Sequence, residues 1–92
     1  MSDFELDRAW SLADGVALRP EPFGALAYHF GTRRLSFLKS RRLLAVVESL
    51  ADQPTGRDAC AAAGVQAAEL LVYSRALATL AESGMITARD AA

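Results

Sequence analysis

Hydrophobic and polar residues alternate through the middle of the chain, from Phe23 to Lys39. Alternation with a period of two is typical of β-strands, because successive side chains point to opposite faces of a sheet. Gly31-Thr32 interrupts the pattern, and a two-residue loop that begins with Gly favours a type II′ turn. The pattern therefore predicts a β-hairpin. Its register pairs Phe30 with Arg33, His29 with Arg34, Tyr28 with Leu35, Ala27 with Ser36 and Leu26 with Phe37.

This register sorts the hairpin side chains onto two faces, and burial of the apolar face would reinforce the pairing. The apolar face, which we expect to meet the core, carries Leu26, Tyr28, Leu35 and Phe37. The small and polar face, which we expect to meet water, carries Ala25, Ala27, His29, Arg34 and Ser36. A shorter strand, Val16–Arg19, precedes the hairpin and is expected to stop at Pro20. The second hairpin strand ends the strand-forming region, which predicts a free sheet edge able to accept another strand.

The second half of the chain has the signals of three helices. Ser40 and Thr55 are good N-caps, and the first two helices are predicted from Arg41 to about residue 51 and from Thr55 to Gly64. The third is predicted from about residue 66 to 83. Its core stripe at helical spacing consists of Leu70, Tyr73, Leu77, Leu80 and Ala81. Residues 4–13 suggest a helical lead-in anchored by Phe4, Trp10 and Leu12, and residues 85–87 a closing strand or tail.

These elements predict one α+β domain spanning residues 1–92. The order is a three-stranded antiparallel sheet followed by three helices, which is a winged helix-turn-helix-like layout with the sheet first. A chain of this length has room for a single modest core.

The net charge of −1 hides an uneven distribution of charged residues. The middle block carries Arg33, Arg34, Lys39, Arg41 and Arg42 with no acidic residue between them. Arg41 and Arg42 lie in a first helical turn, where the helix dipole disfavours cations. One interpretation is that they simply point into solvent; the other is that they hold an acidic partner. Arg33 and Arg34 on an edge strand could equally protect that edge from aggregation.

No catalytic constellation is visible in the sequence. His29 is the single histidine and Cys60 the single cysteine, so we expect no metal site, no cofactor and no disulfide. Without a candidate base and nucleophile we expect no enzymatic activity. The sequence has no apolar run long enough to span a membrane and no signal-peptide pattern. We therefore expect a cytoplasmic protein that acts by holding another molecule.

Two stretches carry a family resemblance: Leu6-Asp7-Arg8-Ala9-Trp10, and the run from Val16 through Pro22-Phe23-Gly24 to Tyr28-His29-Phe30-Gly31-Thr32-Arg33-Arg34-Leu35-Ser36-Phe37-Leu38-Lys39. The tail Arg75–Leu80 and Ser83–Ile86 agrees with them. On these residues the chain closely resembles the mycofactocin biosynthesis peptide chaperones, which are similar to PqqD-like precursor-recognition domains.

The resemblance implies a fold of three strands and three helices and a precursor peptide bound as an added strand, between the third strand and the third helix. It implies presentation of that peptide to a radical S-adenosylmethionine enzyme, which carries the iron–sulfur chemistry itself. With the wheel of the third helix, it predicts a peptide-binding site formed by Arg33, Arg34, Leu35, Ser36, Phe37, Leu38, Leu71, Arg75 and Ala78. Lys39, Arg41 and Arg42 are predicted to attract an acidic partner.

Two other functions fit the predicted layout. A winged-helix DNA-binding protein would read DNA with the third helix, although that helix carries Arg75 as its one basic residue and the chain is slightly acidic, which argues against nucleic acid. A structural homodimer that joins through the edge strand is the other alternative.

Overall fold

The computed structural model describes residues 4–89. The strands are β1 (Trp10–Leu12), β2 (Val16–Glu21), β3 (Gly24–His29), β4 (Leu35–Leu38) and β5 (Ile86–Ala88). The larger sheet is antiparallel with the strand order β2-β3-β4. A second, two-stranded antiparallel sheet pairs β1 with β5.

Three α-helices follow the larger sheet, as predicted. They are α1 (Arg41–Ser49), continued by a 3₁₀ turn (Leu50–Asp52), α2 (Gly56–Ala62), and α3 (Leu70–Glu82), preceded by a 3₁₀ turn (Ala67–Glu69). Both predicted N-caps are confirmed, because the side chains of Ser40 and Thr55 accept backbone N–H groups at the starts of α1 and α2. Gly64 has a φ of +87°, as expected of a residue that ends a helix in the left-handed conformation.

The N-terminal segment forms a strand where the sequence predicted a helix. Trp10 in β1 is buried and lies opposite Ala88 in β5. Arg89 secures this small sheet, because its guanidinium donates to the backbone carbonyls of Trp10, Leu50 and Gln53. Long-range pairing with the end of the chain therefore prevails over local helix preference. The prediction of a closing strand near residues 85–87 is confirmed, one residue later.

Strand β2 continues past the predicted stop at Pro20. The Phe30 N–H donates to the Gly15 carbonyl, so these two residues form a hydrogen-bonded pair. The register of β2 with β3 continues from this pair. Along an antiparallel ladder, hydrogen-bonded and non-hydrogen-bonded pairs alternate. Pro20 falls at a non-hydrogen-bonded pair with Ala25, so its missing N–H is on the outer side of an edge strand, where proline is tolerated.

The hairpin register is confirmed along the two strands, but the predicted turn is wrong. The predicted pair of Phe30 with Arg33 is also wrong, because the Phe30 N–H donates to Gly15 and Arg33 lies inside the loop. Leu26 lies opposite Phe37 and Tyr28 opposite Leu35, while the left-handed residue is Arg33, with a φ of +63°, and not Gly31. Arg33 N–H donates to the His29 carbonyl at 2.7 Å, which closes a four-residue loop.

The predicted faces of the hairpin are inverted. Ala25 and Ala27 are buried, whereas Leu35 and Phe37 are more than half exposed. The physical reason is close packing: α1 lies across β3, and small side chains let the helix approach the sheet. The core that results is formed by Trp10, Leu38, Leu43, Val46, Val47, Leu50, Ala59, Cys60, Leu77, Leu80, Met85 and Ile86, with Ala25 and Ala27 at its sheet side.

Gly24 sets the end of this hairpin. Its φ of +153° is one that residues with a Cβ rarely adopt. A Cβ there would overlap the carbonyl oxygen of Leu38 and lie 2.9 Å from the Ser40 backbone nitrogen. Glycine at position 24 therefore lets the β2–β3 turn pass the end of β4.

In residues 4–89, no helix is both long and apolar enough to cross a bilayer.

Candidate functional site

Strand β4 is a free edge of the larger sheet. Within residues 4–89 it pairs with β3 alone, which confirms the predicted open edge. His29 N–H donates to the Arg34 carbonyl, so the alternation of the ladder turns the backbone groups of Ser36 and Leu38 towards β3. The N–H and C=O groups of Leu35 and Phe37 consequently point away from the sheet, where another strand could pair with them.

A groove runs between this edge and α3. One part encloses about 380 Å³ and is lined by Leu35, Ser36, Phe37, Lys39, Leu43, Ala76, Thr79 and Leu80. An adjoining part of about 280 Å³ is lined by Lys39, Ser40, Leu43, Val72, Tyr73 and Ala76. Because Lys39, Leu43 and Ala76 line both parts, we treat them as one feature, the β4–α3 groove.

The β4–α3 groove is mainly apolar with one cation beside it. Val72 leaves 67% of its surface exposed and is not among the residues of the core cluster or those packed against it. The hydroxyl of Thr79 already donates to the Arg75 carbonyl at 3.1 Å, so it is occupied. Lys39 is exposed and lines both parts of the groove. The groove therefore suits an extended chain with apolar side chains and a nearby carboxylate.

The structure brings together the β4 part of the predicted site but not its helical part. Leu35, Ser36 and Phe37 line the groove, while Leu38 is fully buried beneath it. The predicted wall residues Leu71, Arg75 and Ala78 are absent from the groove lining. The helical residues that line it are Val72, Tyr73, Ala76, Thr79 and Leu80.

The predicted wall and the observed lining of α3 differ by one residue along the helix, which corresponds to a rotation about its axis. Successive residues of an α-helix are 100° apart, so positions 72, 76 and 79 lie beside positions 71, 75 and 78. The core stripe was predicted correctly, since Leu77 and Leu80 are buried. The sequence signal that could have identified the groove side of α3 was Val72, an aliphatic residue on the solvent side of the helical wheel. Peptide contact by Leu71, Arg75 and Ala78 stays a prediction.

The basic block is divided between the two ends of β4. Arg33 and Arg34 are exposed in the hairpin loop, and neither guanidinium has an ion pair within the described chain. At the other end, Arg42 pairs with Glu69 at 3.4 Å, which links α1 to the turn before α3. Arg41 instead borders a separate, open cavity of about 450 Å³ between the β2–β3 turn and α1.

The single histidine and the single cysteine of the chain both have structural surroundings. The Nδ1 atom of His29 accepts the backbone N–H groups of Gly31 and Thr32. Cys60 is fully buried, and this burial raises the pKa of its thiol, an effect that nearby Arg57 partly offsets. Over residues 4–89, no cluster of His, Cys, Asp and Glu side chains could hold a metal ion.

Sequence comparison with known proteins identifies the family of this chain. A profile of the peptide chaperone MftB family matches residues 9–87. The peptide chaperone MftB of Mycobacterium ulcerans (strain Agy99) is 59% identical over 88 residues, which cover 96% of this chain and 81% of that protein. The peptide chaperone MftB of Mycobacterium tuberculosis (strain ATCC 25618 / H37Rv) is 57% identical over 89 residues, with 97% and 82% coverage.

The peptide chaperone MftB of Mycolicibacterium smegmatis (strain ATCC 700084 / mc(2)155) is 54% identical over 83 residues, which cover 90% of this chain and 81% of that protein. No solved structure gives a significant match. The profile match includes both β4 and α3, the two elements that form the groove, and the identity to these relatives extends over nearly the whole chain. The chain therefore belongs to the peptide chaperone MftB family.

Proposed function

We propose that this chain is a non-catalytic peptide chaperone of mycofactocin biosynthesis. It binds a ribosomally made precursor peptide as an additional strand on β4 and presents it to a radical S-adenosylmethionine enzyme in the cytoplasm. The observation that carries the proposal is the open edge of β4 beside the β4–α3 groove. The relatives described above are peptide chaperones, which supports the proposal.

Backbone pairing and groove filling contribute to this binding in different ways. The outward groups of Leu35 and Phe37 can form hydrogen bonds that contribute about 0.5–1.5 kcal/mol each. Ordering each peptide residue costs about 1–2 kcal/mol, so pairing alone comes close to cancelling out. Burial of apolar peptide side chains against Val72, Ala76 and Leu43 at about 25 cal/mol per Å² must then supply the affinity. Backbone pairing therefore sets the register of the bound peptide, and apolar burial in the groove supplies the affinity.

Charge favours a peptide with acidic residues on either side of its apolar segment. Arg33 and Arg34 lie at one end of β4, and Lys39 lies at the other. Complementary charges at such positions accelerate encounter and fix orientation more than they add affinity. The association rate should therefore fall as salt is raised, while the dissociation rate changes little.

We also propose that the arrangement is a winged helix in which strand addition has replaced DNA reading. The residues of α3 that face the groove are mainly apolar, and Arg75 is the one basic residue of this helix. A DNA-reading helix instead presents several basic and polar side chains to the duplex. No observation favours DNA binding, and a gel shift at low salt is expected to show no complex.

Titration of the ¹⁵N-labelled chain with its precursor peptide tests the proposal. We expect the largest amide shifts at Leu35 and Phe37 and along the groove side of α3, at Val72, Ala76 and Thr79. The amides of Leu35 and Phe37 should also become protected from hydrogen exchange, because they gain strand partners. Shifts confined to other surfaces, or no binding, would contradict strand addition at β4.

A further inference from the structure

The sheet face opposite the helices is covered by large apolar side chains. Phe30, Leu35 and Phe37 are each more than half exposed, and Phe23 is 46% exposed. Leu26 and Tyr28 alternate with the buried Ala25 and Ala27 on β3, so they lie on this same face. We call it the outer face; its apolar members are Phe23, Leu26, Tyr28, Phe30, Leu35 and Phe37.

Aromatic pairs border the outer face at both ends. The rings of Tyr28 and Phe30 meet edge to face with centroids 5.0 Å apart, and those of Phe23 and Phe37 lie 6.1 Å apart. None of the six side chains belongs to the core cluster or packs against it. A contiguous exposed patch of this kind on a small domain marks an interaction surface.

Peptide binding at β4 would extend this surface. Side chains of an added strand alternate between the two sides of the sheet. Half of them would enter the β4–α3 groove, and the other half would lie on the outer face beside Leu35 and Phe37. A protein that docks on the outer face would then contact the chaperone and its bound peptide at once.

The charges around the outer face identify the kind of partner. Residues 16–39 carry Arg19, Arg33, Arg34 and Lys39 against one acidic residue, Glu21, which is already paired with Arg19 at 2.9 Å. A second copy of the chain is disfavoured, because a two-fold contact would set each cationic patch against itself. An apolar surface bordered by carboxylates is the complementary partner.

We propose that the outer face is the docking surface for the enzyme that receives the peptide, and that it engages the peptide-loaded chaperone more tightly than the free one. This inference rests on the proposed function and names the surface through which it acts. The enzyme prefers the loaded form because it then contacts a composite surface, which is the outer face together with the peptide side chains beside it. By linkage, the enzyme must tighten peptide binding by the same factor.

The test compares variants whose changes lie outside the β4–α3 groove. A Tyr28→Thr/Phe30→Ser double variant removes one aromatic pair. Arg19→Ala removes a cation from the outer face, where Arg19 lies opposite Leu26. Arg57→Ala is the matched control, since Arg57 on α2 also pairs with one carboxylate, that of Asp7, and α2 packs on α1, the helix that lies across the opposite face of the sheet. Calorimetry measures peptide binding to each variant. Surface plasmon resonance measures binding of the radical S-adenosylmethionine enzyme with and without saturating peptide.

We expect the double variant to bind peptide as the parent chain does and to lose at least about tenfold in affinity for the enzyme, as truncation of interface aromatics does. Arg19→Ala should slow association with the enzyme, whereas Arg57→Ala should not. Unchanged enzyme binding by the double variant overturns the proposal. So does lost peptide binding, which would make the outer face a peptide site.

A parent dimer that the double variant disperses in light scattering also overturns the proposal, because a second copy would then cover the face. A parent chain that binds no precursor peptide at all contradicts the proposed function instead. Enzyme binding that is equal with and without peptide overturns the composite surface.

Discussion

The imidazole of His29 lies directly against Gly31 in the loop between β3 and β4. Its Nδ1 atom accepts the Gly31 N–H at 3.0 Å and the Thr32 N–H at 3.2 Å. A Cβ at position 31 would lie 2.9 Å from Cε1 of the same ring. A side chain at position 31 would therefore displace the ring, although the backbone of Gly31 is outside the left-handed region.

A double-mutant cycle can measure this relationship. His29→Ala removes the acceptor from two loop amides and should lower the free energy of unfolding by about 1 kcal/mol. Gly31→Ala should lower it by about 1 kcal/mol or more, because the new methyl group displaces the ring. In the His29→Ala background the same change should cost much less. Urea unfolding of the four proteins provides the values, and strictly additive costs would contradict the contact.

The hairpin shows what alternation can and cannot predict. The period of two identifies which residues share a face, and with the loop position it yields the correct pairs, such as Leu26 with Phe37. It does not say which face is buried. Assigning the larger apolar residues to the core fails here, because α1 needs the small surface of Ala25 and Ala27 to pack closely.

Tertiary contacts explain the other differences. The left-handed residue of the loop is Arg33 because a four-residue loop closes with Arg33 N–H on the His29 carbonyl. Strand β1 depends on β5, which lies more than seventy residues away along the chain. The residues around β1 do not indicate that partner, so local patterns cannot predict the strand. The predicted wall of α3 lies 100° from the side that lines the groove, since the helical wheel positions the core stripe but does not show which flank faces β4.

Ionisation of the buried Cys60 thiol should lower the stability of the fold at alkaline pH. Burial raises the pKa of this thiol, so the folded state favours its neutral form. The resulting stabilisation is complete below the unfolded pKa of about 8.5 and is lost as pH rises towards the folded pKa. We expect the free energy of unfolding to fall more steeply above this pH in the parent chain than in Cys60→Ala. Urea unfolding between pH 7 and 10 compares the two slopes.

A second measurement on Cys60 is independent of the variant. At neutral pH a thiol-reactive disulfide reagent should label the native chain slowly and the urea-unfolded chain at once, because the folded state both buries and protonates the sulfur. Rapid labelling of the native chain, or equal pH slopes for the two proteins, would contradict the burial argument.

Proline substitution along β4 separates its inward and outward amides. Phe37→Pro removes an N–H that points away from β3, so the fold should survive while peptide affinity falls about threefold to tenfold. Phe37→Ala is its matched control, because it loses the same ring but keeps the N–H. Ser36→Pro removes an N–H directed at β3 and should instead destabilise the fold. Circular dichroism and calorimetry distinguish these outcomes, and equal affinities of Phe37→Pro and Phe37→Ala would exclude that amide from peptide pairing.

Two alanines of α3 distinguish the groove that the structure shows from the wall that the sequence predicted. Ala76 lines both parts of the β4–α3 groove, whereas Ala78 lines neither. Ala76→Leu should fill the space that an added strand needs and weaken peptide binding by more than about tenfold. Ala78→Leu adds the same volume and should weaken it less.

Both alanines are partly exposed, and Ala76 also packs against the core cluster, so thermal unfolding of both variants is the control for a change in stability. Calorimetric titration with precursor peptide then gives a direct ranking. A larger loss for Ala78→Leu than for Ala76→Leu would move the peptide to the side of α3 that carries Leu71 and Arg75. Because the two positions differ by 200° about the helix axis, one strand cannot depend equally on both, and the ranking identifies the face of α3 that the peptide contacts.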